Sequence, residues 1–151
     1  MVTLTSRNKK WSAEKLQADP DFVICTPEYL VRQFRAIENV KQWDRIARLS
    51  LPKVAGPMPS RVEKSPIFSD HFRLSGFPWD HVLVDEAHVA KNVVSGIHEA
   101  LKALDYRRIL LISGTFVKNT WVDVWCILRL MPRQPFQSTE TFFRVFGTLD
   151  E

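Results

Sequence analysis

A chain of 151 residues with 45% hydrophobic side chains, ten Phe and five Trp carries enough apolar material for one core and, on length, one domain, and a disordered tail is not expected. The first twenty residues lack an apolar signal segment, and no later stretch approaches the roughly eighteen uninterrupted apolar residues of a membrane span, so the chain reads as soluble and intracellular. Net charge is +4, yet between Val31 and Ser65 eight basic residues (Arg32, Arg35, Lys41, Arg45, Arg48, Lys53, Arg61 and Lys64) meet only Glu38, Asp44 and Glu63, a surplus that suits either a phosphate backbone or a solvated helix face.

Residues 1–20 form a polar N-terminal segment. Phe22-Val23-Ile24-Cys25 is then the first of three short apolar runs, with Val82-Leu83-Val84 and Ile109-Leu110-Leu111-Ile112. None alternates polar with apolar residues, which predicts strands buried on both faces. Thr26 is placed to cap a helix with Pro27 at its first position, and Leu30, Phe34, Ile37 and Val40 repeat at helical spacing behind it. From about residue 50 to 76, Pro52, Pro57, Pro59 and Pro66 exclude a regular helix or central strand, so this stretch reads as a long surface excursion.

After the second run, Asn92 or Ser95 is placed to cap a helix containing Ile97, Leu101 and Leu104. After the third, Thr120 and Asp123 make a capping box ahead of Val124, Ile127, Leu128 and Met131, and Pro132 stops that helix. Thr139 to Phe146 with Gly147 predicts one more amphipathic helix and its C-cap, and residues 148–151 form a tail. Cys25 and Cys126 sit in apolar runs without metal-ligand spacing and read as reduced core residues.

The repeated order of apolar strand, polar cluster and helix predicts an α/β fold with a parallel sheet. In such a sheet the loops leaving the carboxyl ends of the strands converge on one edge, where ligands bind. Asp85 and Glu86 lie at the exit of the middle strand, a costly place for two carboxylates unless a cation or a donor satisfies them. Nucleotide hydrolysis supplies such a cation: Asp85 holds Mg²⁺ through its water shell, and Glu86 orients and deprotonates the water that attacks the γ-phosphate. His88 can then reach the next strand's loop, Ser113-Gly114-Thr115, with Gly114 allowing close approach. The structural alternative has Asp85 and Glu86 capping the following turn and His88 as an ordinary half-buried histidine.

The stretch from Trp79 through Asp85-Glu86-Ala87-His88 to Lys91-Asn92 resembles motif II, the DEAH box, of the Swi/Snf-type ATPases, chromatin remodellers and DNA translocases of helicase superfamily two. Leu110 to Thr115 resembles their motif III, which couples hydrolysis to DNA. Phe116 stands there in place of the family's Pro and Lys118 in place of its Gln, while Asn119 is kept. Val23 to Leu30 is similar to motif Ib, and the resemblance makes Thr26 a contact to DNA phosphates from a helix N-terminus.

The resemblance covers residues 21–147 and implies an incomplete RecA-like parallel sheet flanked by helices, the second part of the first of two motor lobes. It also implies ATP and Mg²⁺ as cofactors, double-stranded DNA and chromatin proteins as partners, and a nuclear location. None of Gly56, Gly76, Gly96, Gly114 and Gly147 is followed by Lys, so no phosphate-binding loop is found, and no second lobe follows Gly147. The expectation is therefore a fragment of an ATP-dependent DNA translocase that is inactive alone. A non-catalytic module using the basic, Trp43-containing stretch to hold DNA or a chromatin protein is the alternative.

Overall fold

The computed structural model describes residues 2–4, 21–49, 57, 79–115, 121–136 and 138–147. The chain divides into two compact units, 1–76 and 77–151.

In the first unit, strand β1 (Val2–Leu4) pairs in parallel with β2 (Val23–Cys25), Val2 opposite Val23 and Leu4 opposite Cys25. β1 corrects the reading of residues 1–20 as a merely polar segment: three residues are too few to show a periodicity, and the pairing of their backbone is what defines them. Helix α1 (Pro27–Arg48) follows β2. Thr26 caps it as expected, its hydroxyl oxygen accepting the Tyr29 amide proton at 3.3 Å, and Pro27 sits where a missing N–H costs nothing. Tyr29 and Leu30 are buried, while Arg32, Arg35, Lys41, Arg45 and Arg48 are exposed. The helix therefore runs well into the basic stretch.

In the second unit, β3 (Trp79–Val84) pairs in parallel with β4 (Tyr106–Leu111), with Val82 opposite Ile109, Leu83 opposite Leu110 and Val84 opposite Leu111. Between them lie a 3-10 helix (Ala87–Ala90) and helix α2 (Gly96–Ala103). Ser95, not Asn92, caps α2, accepting the His98 amide proton at 3.3 Å, whereas the Asn92 side chain accepts the Val94 amide proton in the turn before it. After β4 come α3 (Trp121–Leu128) and α4 (Thr139–Phe146).

α3 stops three residues earlier than its apolar spacing suggests. The amides of Leu130 and Met131 turn back to the carbonyls of Ile127 and Leu128, a tightening of the last turn forced by Pro132, which excludes α conformation just before it. α4 matches its expected bounds, with Ser138 capping its start and Gly147, at φ 78°, its end.

Both strand pairs are parallel, and β2, β3 and β4 each lead into a helix. The fold is α/β, an incomplete RecA-like arrangement of parallel strands flanked by helices. The core of the second unit is aromatic. Phe142 is fully buried and meets Trp125, Phe136, Phe143 and Phe146 at ring-centroid distances of 4.8–5.4 Å.

One expectation fails. The strands are not buried on both faces, because Ile24, Leu83, Leu110 and Ile112 are about half exposed or more, while Val82, Val84, Ile109 and Leu111 are half-buried. Apolar runs record what a strand can bury, not what covers it in a given chain. Cys126 is buried and Cys25 half-buried, both are free thiols, and burial pushes both thiols up. The excursion at 50–76, residues 116–120 with the capping residue Thr120, and the tail 148–151 lie outside the described residues, apart from Pro57.

Candidate functional site

The apolar run that makes β3 ends at Val84, and the backbone ladder continues one step past the paired strands. The Ile112 amide donates to the Val84 carbonyl at 2.9 Å, and the Ile112 carbonyl accepts the Ala87 amide proton at 2.9 Å. Asp85 and Glu86 are thus carried out of the sheet on a turn stitched to the end of β4. Both are exposed at this strand end. Asp85 Oδ1 accepts the Glu86 amide proton at 2.9 Å, and Glu86 itself adopts φ 51° and ψ 45°. Left-handed backbone in a residue with a Cβ costs about 1–2 kcal/mol, so the turn places this carboxylate against local preference.

His88 lies on the 3-10 helix between Ala87 and Ala90, both fully buried. Its Nδ1 is 3.1 Å from Glu86 Oε2 and 3.3 Å from Ser113 Oγ. With its proton on Nδ1 the imidazole donates toward the carboxylate and the hydroxyl together, which is the arrangement a carboxylate at this distance favours. Ser113 Oγ also accepts the Thr115 amide proton at 3.3 Å, so the hydroxyl shapes its own loop while facing His88.

Asp85, Glu86, His88, Ser113, Gly114 and Thr115 therefore come from the ends of two adjacent parallel strands, and the expected contact between His88 and the second loop is present. Gly114 corrects an expectation. A Cβ added there would meet nothing within 4 Å, so among the described residues no close approach demands a glycine. Thr26 belongs to the other compact unit, where it caps α1.

Two supports of the turn were not legible in sequence. Lys91 Nζ lies 3.2 Å from Asp123 Oδ2 in a pair whose side chains are 28% and 18% exposed, which gives Asp123 a partner besides the capping role assigned to it. His98 is 1% exposed, and its Nδ1 is 2.8 Å from the Ala90 carbonyl. Burial, followed by smaller effects of Arg129 and Lys102, pushes the His98 imidazole below its ordinary value of 6.5, outweighing the hydrogen bond to Ala90 and the charge of Glu99 that act the other way. For Lys91 the signal was its place after the acidic box. His98 had none, since a lone histidine in a helix pattern carries no motif.

Parallel strands feeding helices, with paired carboxylates at one strand's exit and a histidine bridging to the next loop, define an α/β protein of the RecA-like kind with an acidic strand-end site. Residues 1–149 match the SNF2-related domain, and the chain belongs to that family. It is similar to the TATA-binding protein-associated factor BTAF1 of Arabidopsis thaliana, at 28% identity over 159 aligned positions that span 95% of this chain and 8% of that protein. Chromodomain-helicase-DNA-binding protein 7 of Homo sapiens is 35% identical over 83 residues, 55% of this chain and 3% of that protein. ISWI chromatin-remodeling complex ATPase CHR17 of Arabidopsis thaliana is 32% identical over 81 residues, 52% of this chain and 8% of that protein. The chain thus spans less than a tenth of the length of these relatives and corresponds to part of an SNF2-family ATPase domain. Among the described residues, no helix is long and apolar enough to cross a membrane.

Proposed function

We propose that this chain carries the acidic box and coupling loop of a DNA-stimulated ATPase that translocates on duplex DNA in chromatin, within the nucleus. The observation that supports this most is the joint contact of His88 Nδ1 with the Glu86 carboxylate and the Ser113 hydroxyl, which ties a candidate base to the loop of the neighbouring strand.

The donor set fits Mg²⁺ bound as it is in nucleotide sites, through one or two carboxylates, water and substrate phosphates. Asp85 is the residue to hold the ion: its Oδ1 accepts the Glu86 amide proton, and the exposed carboxylate retains acceptor capacity. When bound, the metal neutralises charge on the phosphates of ATP. Glu86 orients the attacking water and takes its proton, and His88 holds that carboxylate while passing its position to Ser113. Ser113, Gly114 and Thr115 form the coupling loop, and Thr26 at the start of α1 contacts DNA phosphate with its hydroxyl proton, its oxygen already serving the Tyr29 amide. With no Gly-Lys loop in this sequence to cradle the β- and γ-phosphates, the 151-residue chain alone is inactive.

The test is ATP hydrolysis by the protein that carries this chain, with and without duplex DNA, in the wild type and in Glu86→Gln. Loss of a general base lowers turnover by about 10²–10⁴-fold. Hydrolysis that is undiminished in Glu86→Gln overturns the proposal.

The exposed basic residues Arg32, Arg35, Lys41, Arg45 and Arg48 of α1 favour a second reading, a non-catalytic module binding DNA or an acidic chromatin protein. DNA binding by this route weakens steeply with salt, whereas affinity independent of salt removes the reading.

A further inference from the structure

The 3-10 helix Ala87–Ala90 is a single short turn of a kind with poor hydrogen-bond geometry. At its two ends the Val89 N–H donates to the Glu86 carbonyl at 3.1 Å and the Lys91 N–H to the His88 carbonyl at 3.4 Å, the second long for a backbone bond. It begins on the left-handed Glu86, so it must be clamped from outside. At its start the clamp is the Ala87 amide on the Ile112 carbonyl. At its end, a continuing α-helix would satisfy the Ala90 carbonyl with the Val94 amide, but that amide donates to Asn92 Oδ1 at 3.1 Å. Ala90 is fully buried, and the donor that reaches its carbonyl is His98 Nδ1 at 2.8 Å.

We propose that His98 is a positioning residue for the acidic turn: its imidazole supplies the hydrogen bond that closes the 3-10 helix and so fixes Glu86 and His88. The consequence for catalysis rests on the ATPase reading above, while the contact itself does not.

The alternative is that His98 merely fills space between α2 and its surroundings. Its chemistry argues otherwise. The ring is 1% exposed, and its buried Nε2 has no hydrogen-bond partner among the described residues, a cost that a Phe or Leu of similar volume would avoid. What the imidazole adds over those residues is the Nδ1 proton. A carbonyl only accepts, so Nδ1 carries the proton and Nε2 the lone pair. The charged groups acting on the ring, Arg129, Lys102 and Glu99, leave burial dominant, and the neutral ring is the one that fits this site.

Three measurements test the proposal. In the wild-type chain, ¹⁵N NMR of the imidazoles is expected to show His98 as the Nδ1–H tautomer, and an Nε2–H tautomer overturns the proposal. In His98→Phe, which keeps most of the ring volume, amide exchange at Val89 and Lys91 is expected to rise about tenfold or more, with exchange in α3 and α4 unchanged. His98→Asn, whose side-chain amide lies close to the position of Nδ1, is expected to restore much of that protection. Exchange at Val89 and Lys91 that stays at the wild-type level, or that rises evenly across the whole unit, assigns His98 a filling role only.

In the protein that carries this chain, His98→Phe is expected to lower kcat for ATP about tenfold with KM unchanged, and His98→Asn to lie between. Equal loss in the two variants removes the positioning role in catalysis. A wild-type protein without ATPase activity sinks the ATPase reading alone and leaves the tautomer and exchange measurements to decide what His98 does to the turn.

Discussion

His88 Nδ1 lies 3.3 Å from Ser113 Oγ, joining the turn after β3 to the loop after β4 by a side-chain contact that adds to the backbone bonds between the strand ends. Because the same nitrogen is 3.1 Å from Glu86 Oε2, a shift of the carboxylate is felt by the hydroxyl through one rigid ring. Ser113→Ala removes that link and also the acceptor for the Thr115 amide. The contact is partly exposed, so the expected stability loss is small, about 0.5–1.5 kcal/mol. On the proposed ATPase reading the larger expected effect is functional: in the protein that carries this chain, DNA should stimulate ATP hydrolysis less, while the rate without DNA is kept. Stimulation equal to wild type would mean that the contact carries no coupling.

Glu86 combines a carboxylate with left-handed backbone at φ 51°, and the two features separate by substitution. Glu86→Ala and Glu86→Gly both remove the carboxylate and its approach to His88, but only glycine removes the clash of Cβ with the backbone. Glu86→Gly is expected to be more stable than Glu86→Ala by about 1 kcal/mol in denaturant unfolding. Equal stability would show that this turn relaxes out of the left-handed region once the carboxylate is gone.

What the sequence disclosed follows from which interactions are local. The caps at Thr26 and at Ser95, read beside Asn92, are bonds across three residues, so a hydroxyl ahead of a helical pattern announces them. The acidic box was legible because two carboxylates closing an apolar strand are too costly without a reason. Lys91 with Asp123 and His98 with Ala90 were not legible, since partners 32 and 8 residues apart are set by how α3 and α2 pack. The exposure of Leu83 and Leu110 was invisible for the same cause: periodicity reports the side chains of a strand, and its neighbours decide its burial.

His98 makes stability depend on pH in a defined direction. Burial, first among its influences, holds the folded-state value below the ordinary 6.5, so as pH falls the unfolded chain takes up a proton before the folded one does. The neutral ring's contribution is complete above 6.5 and is lost as pH falls from there toward the lowered folded value. The slope contributed by this one residue is at most about 1.4 kcal/mol per pH unit. Urea unfolding of the wild type and His98→Phe between pH 7.5 and 5 should show the difference between them shrinking with acid. A constant difference would mean that the ring takes up its proton at the same pH in the folded and the unfolded chain, and a difference that grows with acid would mean that the fold holds it protonated.

Lys91 Nζ and Asp123 Oδ2, 3.2 Å apart, join the end of the acidic turn to α3 with both side chains mostly withdrawn from solvent. An exposed pair of this kind is worth roughly 0.2–1 kcal/mol, and partial burial both strengthens the attraction and raises the cost of leaving one charge alone. The double-mutant cycle of Lys91→Met and Asp123→Asn is therefore expected to give a coupling of about 1 kcal/mol, the losses of the two single variants summing to more than the loss of the double by that amount. Because Lys91 follows the turn that carries Glu86 and His88, Lys91→Met is also expected to quicken amide exchange at Val89 more than at Phe142. Additive stabilities and uniform exchange would reduce the pair to a surface contact with no hold on the acidic turn.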